Sequence, residues 1–165
     1  MSKVPLINIV AARSGTGKTT FMEKLIAVLV ERGYKVGTIK SDTHSFEMDV
    51  PGKDTWRFAQ AGARATAIIG PAKFALIQET QGKKNLDEVA DLIQDVDLIL
   101  VEGYKKADKP KIEIIRREKG TEIISPSEHL LAIVTDVQEI TAAVPVLAID
   151  DYQGVANLII SKFLS

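Results

Sequence analysis

Short apolar runs alternate with amphipathic stretches along the chain. Val4–Ala11 and Asp97–Val101 are nearly continuous apolar runs with polar or turn residues around them, a pattern typical of strands buried on both faces. Further strands are predicted at Lys35–Lys40, Lys111–Ile115, Leu130–Thr135 and Val144–Ile149. These segments indicate a sheet whose strands are mostly parallel, since longer segments with a different periodicity separate them.

The separating segments carry the spacing of helices. In Thr20–Arg32, the apolar residues Phe21, Leu25, Val28 and Leu29 recur three and four positions apart, and Gly33 follows. Helices are also predicted at Lys53–Ala63, from Asn85 to about Gln94, and at Tyr152–Leu164. Strands that alternate with helices predict an α/β sandwich with helices on both faces of a mainly parallel sheet.

One pair of apolar runs does not follow this alternation. Ala65–Ile69 and Phe74–Gln78 are separated by Gly70-Pro71, which indicates a turn between two strands. These strands either pack in the core or extend a sheet across a two-fold axis, and the sequence alone leaves both alternatives open.

A phosphate-binding loop follows the first strand. Residues 12–19 match the pattern G-x-x-x-x-G-K-[ST] except that Ala12 replaces the first glycine, and Thr20 follows. Glycines allow the backbone N–H groups to converge on phosphate oxygens, lysine adds a positive charge, and the threonine hydroxyl can bind Mg²⁺. We therefore predict nucleotide binding by Ser14, Gly15, Thr16, Gly17, Lys18, Thr19 and Thr20, in a fold of the P-loop NTPase type.

Carboxylates at the ends of the strands next to the phosphate loop are candidate Mg²⁺ ligands. Glu102 is expected just past the carboxyl end of its strand, where ligands of parallel sheets bind, whereas Asp97 is expected at the strand start. Asp54 either completes the Mg²⁺ shell or only lies in the first turn of a helix. Lys40, at the end of the second strand, either neutralises phosphate charge or is an ordinary strand-end lysine.

Two further features allow both a functional and a structural interpretation. His44 is either a ligand or acid–base group or a solvated loop residue, and the role of Asp49 is left open. The basic run Arg116–Lys119 is either a solvated loop or a contact for an anionic ligand.

Composition narrows the remaining possibilities. The chain has 165 residues, which predicts a single nucleotide-binding domain over residues 1–165. Its net charge of −1 argues against a broad nucleic-acid or anionic-membrane surface, and the lack of cysteine excludes disulfides and thiolate metal sites. No apolar run reaches the roughly 18 residues needed to cross a bilayer, and we expect a cytoplasmic protein without nucleic-acid or membrane partners.

Four segments together resemble the MobB family, molybdopterin-guanine dinucleotide biosynthesis protein B. They are the phosphate loop with Thr19-Thr20, Lys40–Arg57 with its THSFEMDVPGKDTWR sequence, Asp97–Lys105 with VEGYK, and the PKIE sequence of Pro110–Glu113. The resemblance extends from about residue 4 to 150. Ser41 stands where that family commonly has a histidine, so a paired-histidine site around His44 is not expected.

The resemblance implies a homodimeric GTP-binding adapter with weak GTPase activity. Such a protein would act beside the guanylyltransferase MobA, which attaches GMP to molybdopterin, and contact with molybdopterin itself is left open. The family is similar to dimeric P-loop proteins such as dethiobiotin synthetase, and this similarity implies Mg²⁺ ligation by Thr19, Asp54 and Glu102. Lys18, Lys40 and Glu102 are the candidate catalytic residues.

Guanine preference would come from the end of a later strand. Asp136, which follows Thr135, can accept hydrogen bonds from N1–H and the 2-amino group of guanine, or it can cap the next turn. Two other functions stay in competition with the GTP-binding adapter. One is an ATP-dependent kinase or ligase of the dethiobiotin-synthetase type, and the other is a nucleotide-gated structural partner without turnover.

Overall fold

A computed structural model describes residues 4–165. The chain divides into two compact units: the first combines the chain up to Ser41 with Leu86–Ser165, and the second is Asp42–Asn85. The prediction of one domain over the whole chain stays a prediction. No helix among residues 4–165 is both long and apolar enough to cross a membrane.

A fully parallel six-stranded sheet forms the centre of the first unit, in the order β2-β5-β1-β6-β7-β8. Its strands are β1 Leu6–Val10, β2 Val36–Lys40, β5 Leu98–Glu102, β6 Lys111–Ile115, β7 Leu130–Thr135 and β8 Val146–Ala148. The antiparallel hairpin of the second unit consists of β3 Ala65–Ile69 and β4 Phe74–Gln78. The helices are α1 Lys18–Glu31, α2 Asp54–Gln60, α3 Leu86–Ala90 and α4 Tyr152–Ile159.

Helices of the first unit cover both faces of its sheet. Alternate residues of β5 point to opposite sides, so Leu98 and Leu100 pack in the cluster that contains α1 and α4, whereas Ile99 and Val101 pack with α3. On the first face, the rings of Phe21 and Tyr152 lie 5.5 Å apart and join α1 to α4. This arrangement confirms the α/β sandwich with a parallel sheet and helices on both faces.

Several predicted helices end earlier in the structure. The helix predicted to reach Gln94 ends at Ala90, because Leu92 and Ile93 donate to carbonyls only three residues earlier and tighten the chain. The helix α2 ends at Gln60, and Gly62 with φ 106° follows it. The last predicted helix is α-helical only to Ile159, and Ile160–Leu164 forms a turn with wider, π-type hydrogen bonding.

A polar stripe lies buried on the α3 face of the sheet, between two apolar clusters. Asn8 of β1 stands opposite Lys111 of β6 in the strand register, and Glu113 is the next residue on the same face. The Lys111 ammonium donates to the carbonyls of Ala107 and Lys109, and burial lowers its pKa. Lys111 therefore holds the loop between β5 and β6 against the sheet, whereas Glu113 accepts from the N–H groups of Ile124 and Ser125 in the segment after β6.

Candidate functional site

The phosphate loop follows β1, a central strand, at the carboxyl end of the parallel sheet. The chain leaves β1, which lies between β5 and β6, and enters α1 at Lys18. Gly15 with φ 70° and Gly17 with φ 95° adopt left-handed conformations that side chains other than glycine rarely take. The loop is also braced internally, because the buried Thr16 donates from Oγ1 to the carbonyl of Arg13 at 2.6 Å.

Alanine is accepted at the first position of this loop. Ala12 does not belong to the residues with positive φ in the described part of the chain, so its methyl group causes no backbone strain. Its carbonyl accepts a hydrogen bond of 2.8 Å from Nζ of Lys105. Lys105 thus fixes the start of the loop from the segment that follows β5.

The hydroxyl of Thr19 meets the carboxylate of Glu102. Its Oγ1 lies 3.2 Å from both Oε1 and Oε2, although 83 residues separate the two positions in sequence. Glu102 is the last residue of β5, so the expectation that it lies just past the strand end was wrong by one position. The structure therefore brings together two of the three predicted Mg²⁺ ligands.

The backbone on both sides of Glu102 is fixed by hydrogen bonds. Glu102 pairs with Lys40 in the strand register, and its carbonyl accepts from the backbone N–H of Ser41 at 3.0 Å. The buried amide of Asn8 donates from Nδ2 to the carbonyls of Gly103 at 2.9 Å and Tyr104 at 3.3 Å. Tyr104 has φ 54°, a conformation uncommon for tyrosine, which these contacts hold in place.

Positive charges gather around Lys18. Burial lowers the pKa of its ammonium group, the Glu102 carboxylate opposes this change, and the charges of Lys105 and Lys40 add to the lowering. An anion bound at the loop would raise the same pKa by favouring the charged form. The electrostatics are thus those of a site for a polyanion such as a polyphosphate.

Thr19 and Glu102 suit a magnesium ion. Mg²⁺ in nucleotide sites typically binds one or two protein oxygens together with phosphate oxygens and water. Residues 4–165 contain no group of three or more His, Asp or Glu side chains arranged as a metal site. A hydroxyl beside one carboxylate is thus compatible with an ion held partly by nucleotide phosphates, and it does not resemble a site built from protein ligands alone.

The predicted base-binding residues lie at the carboxyl end of β7. Thr135 is buried and its Oγ1 accepts from the N–H of Val137, so Thr135 caps the following turn. Asp136 instead accepts from the N–H of Arg117 at 2.8 Å through Oδ1, and Nε of Arg116 lies 3.9 Å from its Oδ2. A surface cavity of about 470 Å³ begins at these residues and extends along Val146–Asp150.

Asp54, His44 and Asp49 belong to the second unit. Asp54 is exposed in the first turn of α2, and His44 is exposed with its backbone N–H donating to Asp42. Asp49 accepts from the hydroxyl of Thr55 at 3.0 Å, which stabilises the start of the same helix. Mg²⁺ ligation by Asp54 stays a prediction.

Of two further lysines at the phosphate loop, Lys105 was not assigned a role from the sequence, and Lys119 was considered only as part of a basic run that is either a solvated loop or a contact for an anionic ligand. Lys105 stands in the VEGYK motif, and Lys119 closes the basic run, so both were visible only as parts of larger patterns. A β-carbon added at Gly15 would lie 3.6 Å from Nζ of Lys119, which places this ammonium group against the loop. Contacts over about a hundred residues of sequence leave no local signal that would reveal them.

The comparison with known proteins agrees with the resemblance seen in the sequence. The sequence model of the MobB family, described as molybdopterin guanine dinucleotide synthesis protein B, matches residues 6–136. The molybdopterin-guanine dinucleotide biosynthesis adapter protein of Escherichia coli is 37% identical over 163 residues, covering 95% of this chain and 92% of that protein. Its counterpart in Haemophilus influenzae is 36% identical over 137 residues, covering 82% of this chain and 76% of that protein.

Solved structures agree as well. The crystal structure of Bacillus subtilis MobB superimposes with a TM-score of 0.75 at 28% identity, covering 96% of this chain and 98% of that one. The family resemblance predicted from the phosphate loop and the VEGYK and PKIE motifs is thereby confirmed. From its sequence and its fold alike, the chain belongs to the MobB family.

Proposed function

We propose that this protein is a GTP-binding adapter in the formation of molybdopterin guanine dinucleotide. The observation that carries the proposal is the contact between Thr19 and Glu102 beside Lys18, in a chain of the MobB family. The adapter names of the relatives support this function and do not favour an ATP-dependent kinase or ligase. The proposed partner is a guanylyltransferase of the MobA type, in the cytoplasm, and molybdopterin is a second possible ligand.

The phosphate chain of the nucleotide would bind along Ser14–Thr20. Backbone N–H groups of the loop and the positive end of α1 attract phosphate oxygens, and Lys18 adds a charge-assisted hydrogen bond. Lys40, adjacent to Glu102 in the register, neutralises further negative charge. Thr19 and Glu102 would hold Mg²⁺, which when bound neutralises phosphate charge.

Slow hydrolysis of GTP is part of the proposal. Lys18 and Lys40 would stabilise the charge that develops on the phosphate oxygens, and Glu102 would help to orient the phosphate chain. Protein side chains thus supply positioning and charge, and the residue that orients the attacking water is not assigned. A nucleotide-gated partner without turnover predicts the same binding and no phosphate release.

Guanine would be recognised through Thr135 and Asp136. The cavity that begins at these residues lies at the carboxyl edge of the sheet, the same edge as the phosphate loop. One oxygen of Asp136 is committed to the N–H of Arg117, and the other faces the more distant Arg116 side chain. The second carboxylate oxygen of Asp136 would accept hydrogen bonds from N1–H and the 2-amino group of guanine.

Binding of GTP and ATP analogues tests this function. Calorimetric titration of the purified protein with nonhydrolysable analogues of both nucleotides, each with Mg²⁺, is expected to show tighter binding of the GTP analogue. The Asp136→Asn variant is expected to lose most of that preference. Equal weak binding of both analogues, or a preference for ATP, would contradict the proposed function and favour a metabolite kinase or ligase.

A homodimer is proposed on separate grounds. The hairpin β3–β4 exposes apolar side chains on both of its faces. Ile69 and Phe74, 86% and 74% exposed, lie on one face, and Ile68, 59% exposed, lies on the other. A two-stranded hairpin with exposed apolar faces is only marginally stable in water. The unpaired backbone groups at its strand edges can also pair with another strand. We propose that a second copy of the chain covers it.

Solution mass tests the homodimer. Light scattering is expected to give twice the 18.0 kDa mass of one chain. The double variant Ile69→Lys with Phe74→Lys is expected to be monomeric, because two charges would be buried in the interface. Val30→Lys, at an exposed apolar position of α1, serves as the matched control and should stay dimeric. A monomeric wild-type protein would exclude the proposal.

A further inference from the structure

The turn that follows β6 contacts both ends of the candidate nucleotide site. It comprises Arg116–Gly120, with a 3-10 turn over Arg117–Lys119. At one end, the carboxylate of Asp136 accepts from the N–H of Arg117 and faces the Arg116 guanidinium. At the other end, the ammonium group of Lys119 lies against Gly15 of the phosphate loop. The turn thus joins the residue proposed for the base to the loop proposed for the phosphates.

The charge of Lys119 is not balanced by the protein. Lys119 is half-buried, and no acceptor or carboxylate in residues 4–165 forms a hydrogen bond or an ion pair with its Nζ. Arg116 and Arg117, in the same turn, do have carboxylate partners in Asp136 and Glu139. Partial burial of an unpaired ammonium group is unfavourable, and an anion that binds next to it removes this cost.

The ammonium group of Lys119 lies close to the phosphate loop at Gly15, where an added β-carbon would be 3.6 Å from Nζ, an ordinary contact. Glycine at position 15 is favoured by its left-handed φ of 70° and not by the approach of Lys119. The N–H groups of the same loop converge on the phosphate site. Lys119 can therefore reach the polyphosphate chain from the turn after β6, whereas Lys105 contacts the carbonyl of Ala12.

We propose that Lys119 is a further phosphate-binding lysine of the site, beside Lys18 and Lys40, and that Asp136 positions it by holding the backbone at Arg117. The proposal rests on the proposed function, because it requires a polyphosphate at the phosphate loop. It gives Asp136 two tasks, one toward the base and one toward the phosphates. The bound chemistry is the polyphosphate of a nucleotide, with Mg²⁺.

Magnesium tripolyphosphate is the probe that separates these tasks, since it has neither base nor ribose. Calorimetry at neutral pH is expected to show about tenfold weaker binding for Lys119→Met, the effect of one hydrogen bond to a charged group. Lys119→Arg retains the charge and should bind within about threefold of wild type. Lys24→Met removes an exposed lysine of α1 and is the matched control, expected to leave binding unchanged.

A double-variant comparison tests the positioning by Asp136. Asp136→Ala removes the acceptor for the N–H of Arg117. It is expected to weaken tripolyphosphate binding several-fold in the wild-type background and to have little further effect in Lys119→Met, because both changes act on the same contact. Equal effects in both backgrounds would show that Asp136 does not act through Lys119. Thermal unfolding of each variant, expected to be close to wild type, separates this result from a loss of structure.

The two proposals fail in different ways. If Lys119→Met binds tripolyphosphate like the wild type while Lys18→Ala does not, the role of Lys119 is wrong and the proposed function stands. If Lys18→Ala also binds like the wild type, the phosphate loop is not the binding site and the proposed function falls with it.

Discussion

The lysines at the two ends of the parallel sheet differ in their partners. At the amino end, before the strands begin, cationic side chains are matched with carboxylates. Two ion pairs lie there, Lys35 with Asp95 and Lys109 with Asp87, and Nε2 of His129 lies 2.9 Å from the carboxylate of Asp108. The backbone N–H of Lys35 also donates to Asp97, which ties the starts of β2 and β5 together. Charge at this end serves the fold.

At the carboxyl end, Arg116 and Arg117 pair with carboxylates, but the lysines beside the phosphate loop have no such partners. Within residues 4–165, Lys18, Lys40, Lys105 and Lys119 form no ion pair with a carboxylate. The carboxylate of Glu102 is nearby, and it accepts from Thr19. The positive end of α1 adds to the same field.

This difference shows where the molecule is built to meet an anion. A net charge of −1 gives no hint of it, because the excess of lysine at one edge is offset by carboxylates elsewhere. Lysines without carboxylate partners, rather than the number of charged residues, distinguish the proposed binding edge from the amino edge. The comparison can be tested by removing charges from each end in turn.

The largest effect is expected from Lys18→Ala. Its loss removes charge-assisted hydrogen bonds to the phosphates, and binding of the GTP analogue should weaken by about 100-fold or more. Calorimetry measures this change, and circular dichroism checks that the fold is retained. Unchanged affinity would mean that the unpaired lysines do not mark a phosphate site.

A smaller effect is expected from Glu102→Gln. The amide retains the size of the side chain and loses the charge that attracts Mg²⁺, so the Mg²⁺ concentration needed for half-maximal nucleotide binding should rise about tenfold. Titration of Mg²⁺ at fixed nucleotide concentration measures it. An identical Mg²⁺ response in the variant would remove Glu102 from the metal site.

The pH dependence of nucleotide binding should report the protonation state of Lys18. Burial lowers its pKa in the free protein, and bound phosphate raises it, so binding takes up a proton once pH exceeds the lowered value. Affinity should therefore fall as pH rises through that value, by at most about tenfold per pH unit. The arginine of the Lys18→Arg variant remains protonated in this range. Titration of the nucleotide affects both proteins equally, so it cancels in the ratio of the wild-type affinity to the variant affinity. A constant ratio would contradict the prediction.

The smallest effect is expected at the amino end. Lys35→Met breaks the exposed pair with Asp95, far along the strands from the phosphate loop, and nucleotide affinity should stay within about twofold of wild type. The same calorimetric assay applies. A large loss of affinity would show that the two ends of the sheet are not independent.

Much of the fold could be predicted because its strands are short apolar runs with clear limits. The strands at Ala65–Ile69, Phe74–Gln78, Lys111–Ile115 and Leu130–Thr135 lie within the bounds that the sequence pattern gives. Helix ends were less predictable, since hydrogen bonds such as that from Leu92 to Val89 depend on how the chain turns after α3. Periodicity alone does not contain this information.

The phosphate loop and Glu102 could be predicted because each has a local signature in sequence. Asp136 was recognised as a strand-end carboxylate, but its contact with Arg117 depends on two strands that lie side by side in the sheet. The same is true of Lys119 and Gly15. Contacts between residues distant in sequence are set by strand order, which the pattern of apolar runs does not specify.

The position of β1 in the sheet has a consequence for synthesis on the ribosome. The two strands that pair with β1 are β5 at Leu98–Glu102 and β6 at Lys111–Ile115. Both are translated long after β1 and the phosphate loop. At about 5–20 residues per second, β1 waits roughly 5–20 seconds for its partners. A nascent chain that ends before Leu98 therefore carries the complete phosphate-loop sequence but lacks the strands on both sides of β1. We expect GTP to bind only after nearly the whole chain has emerged from the ribosome.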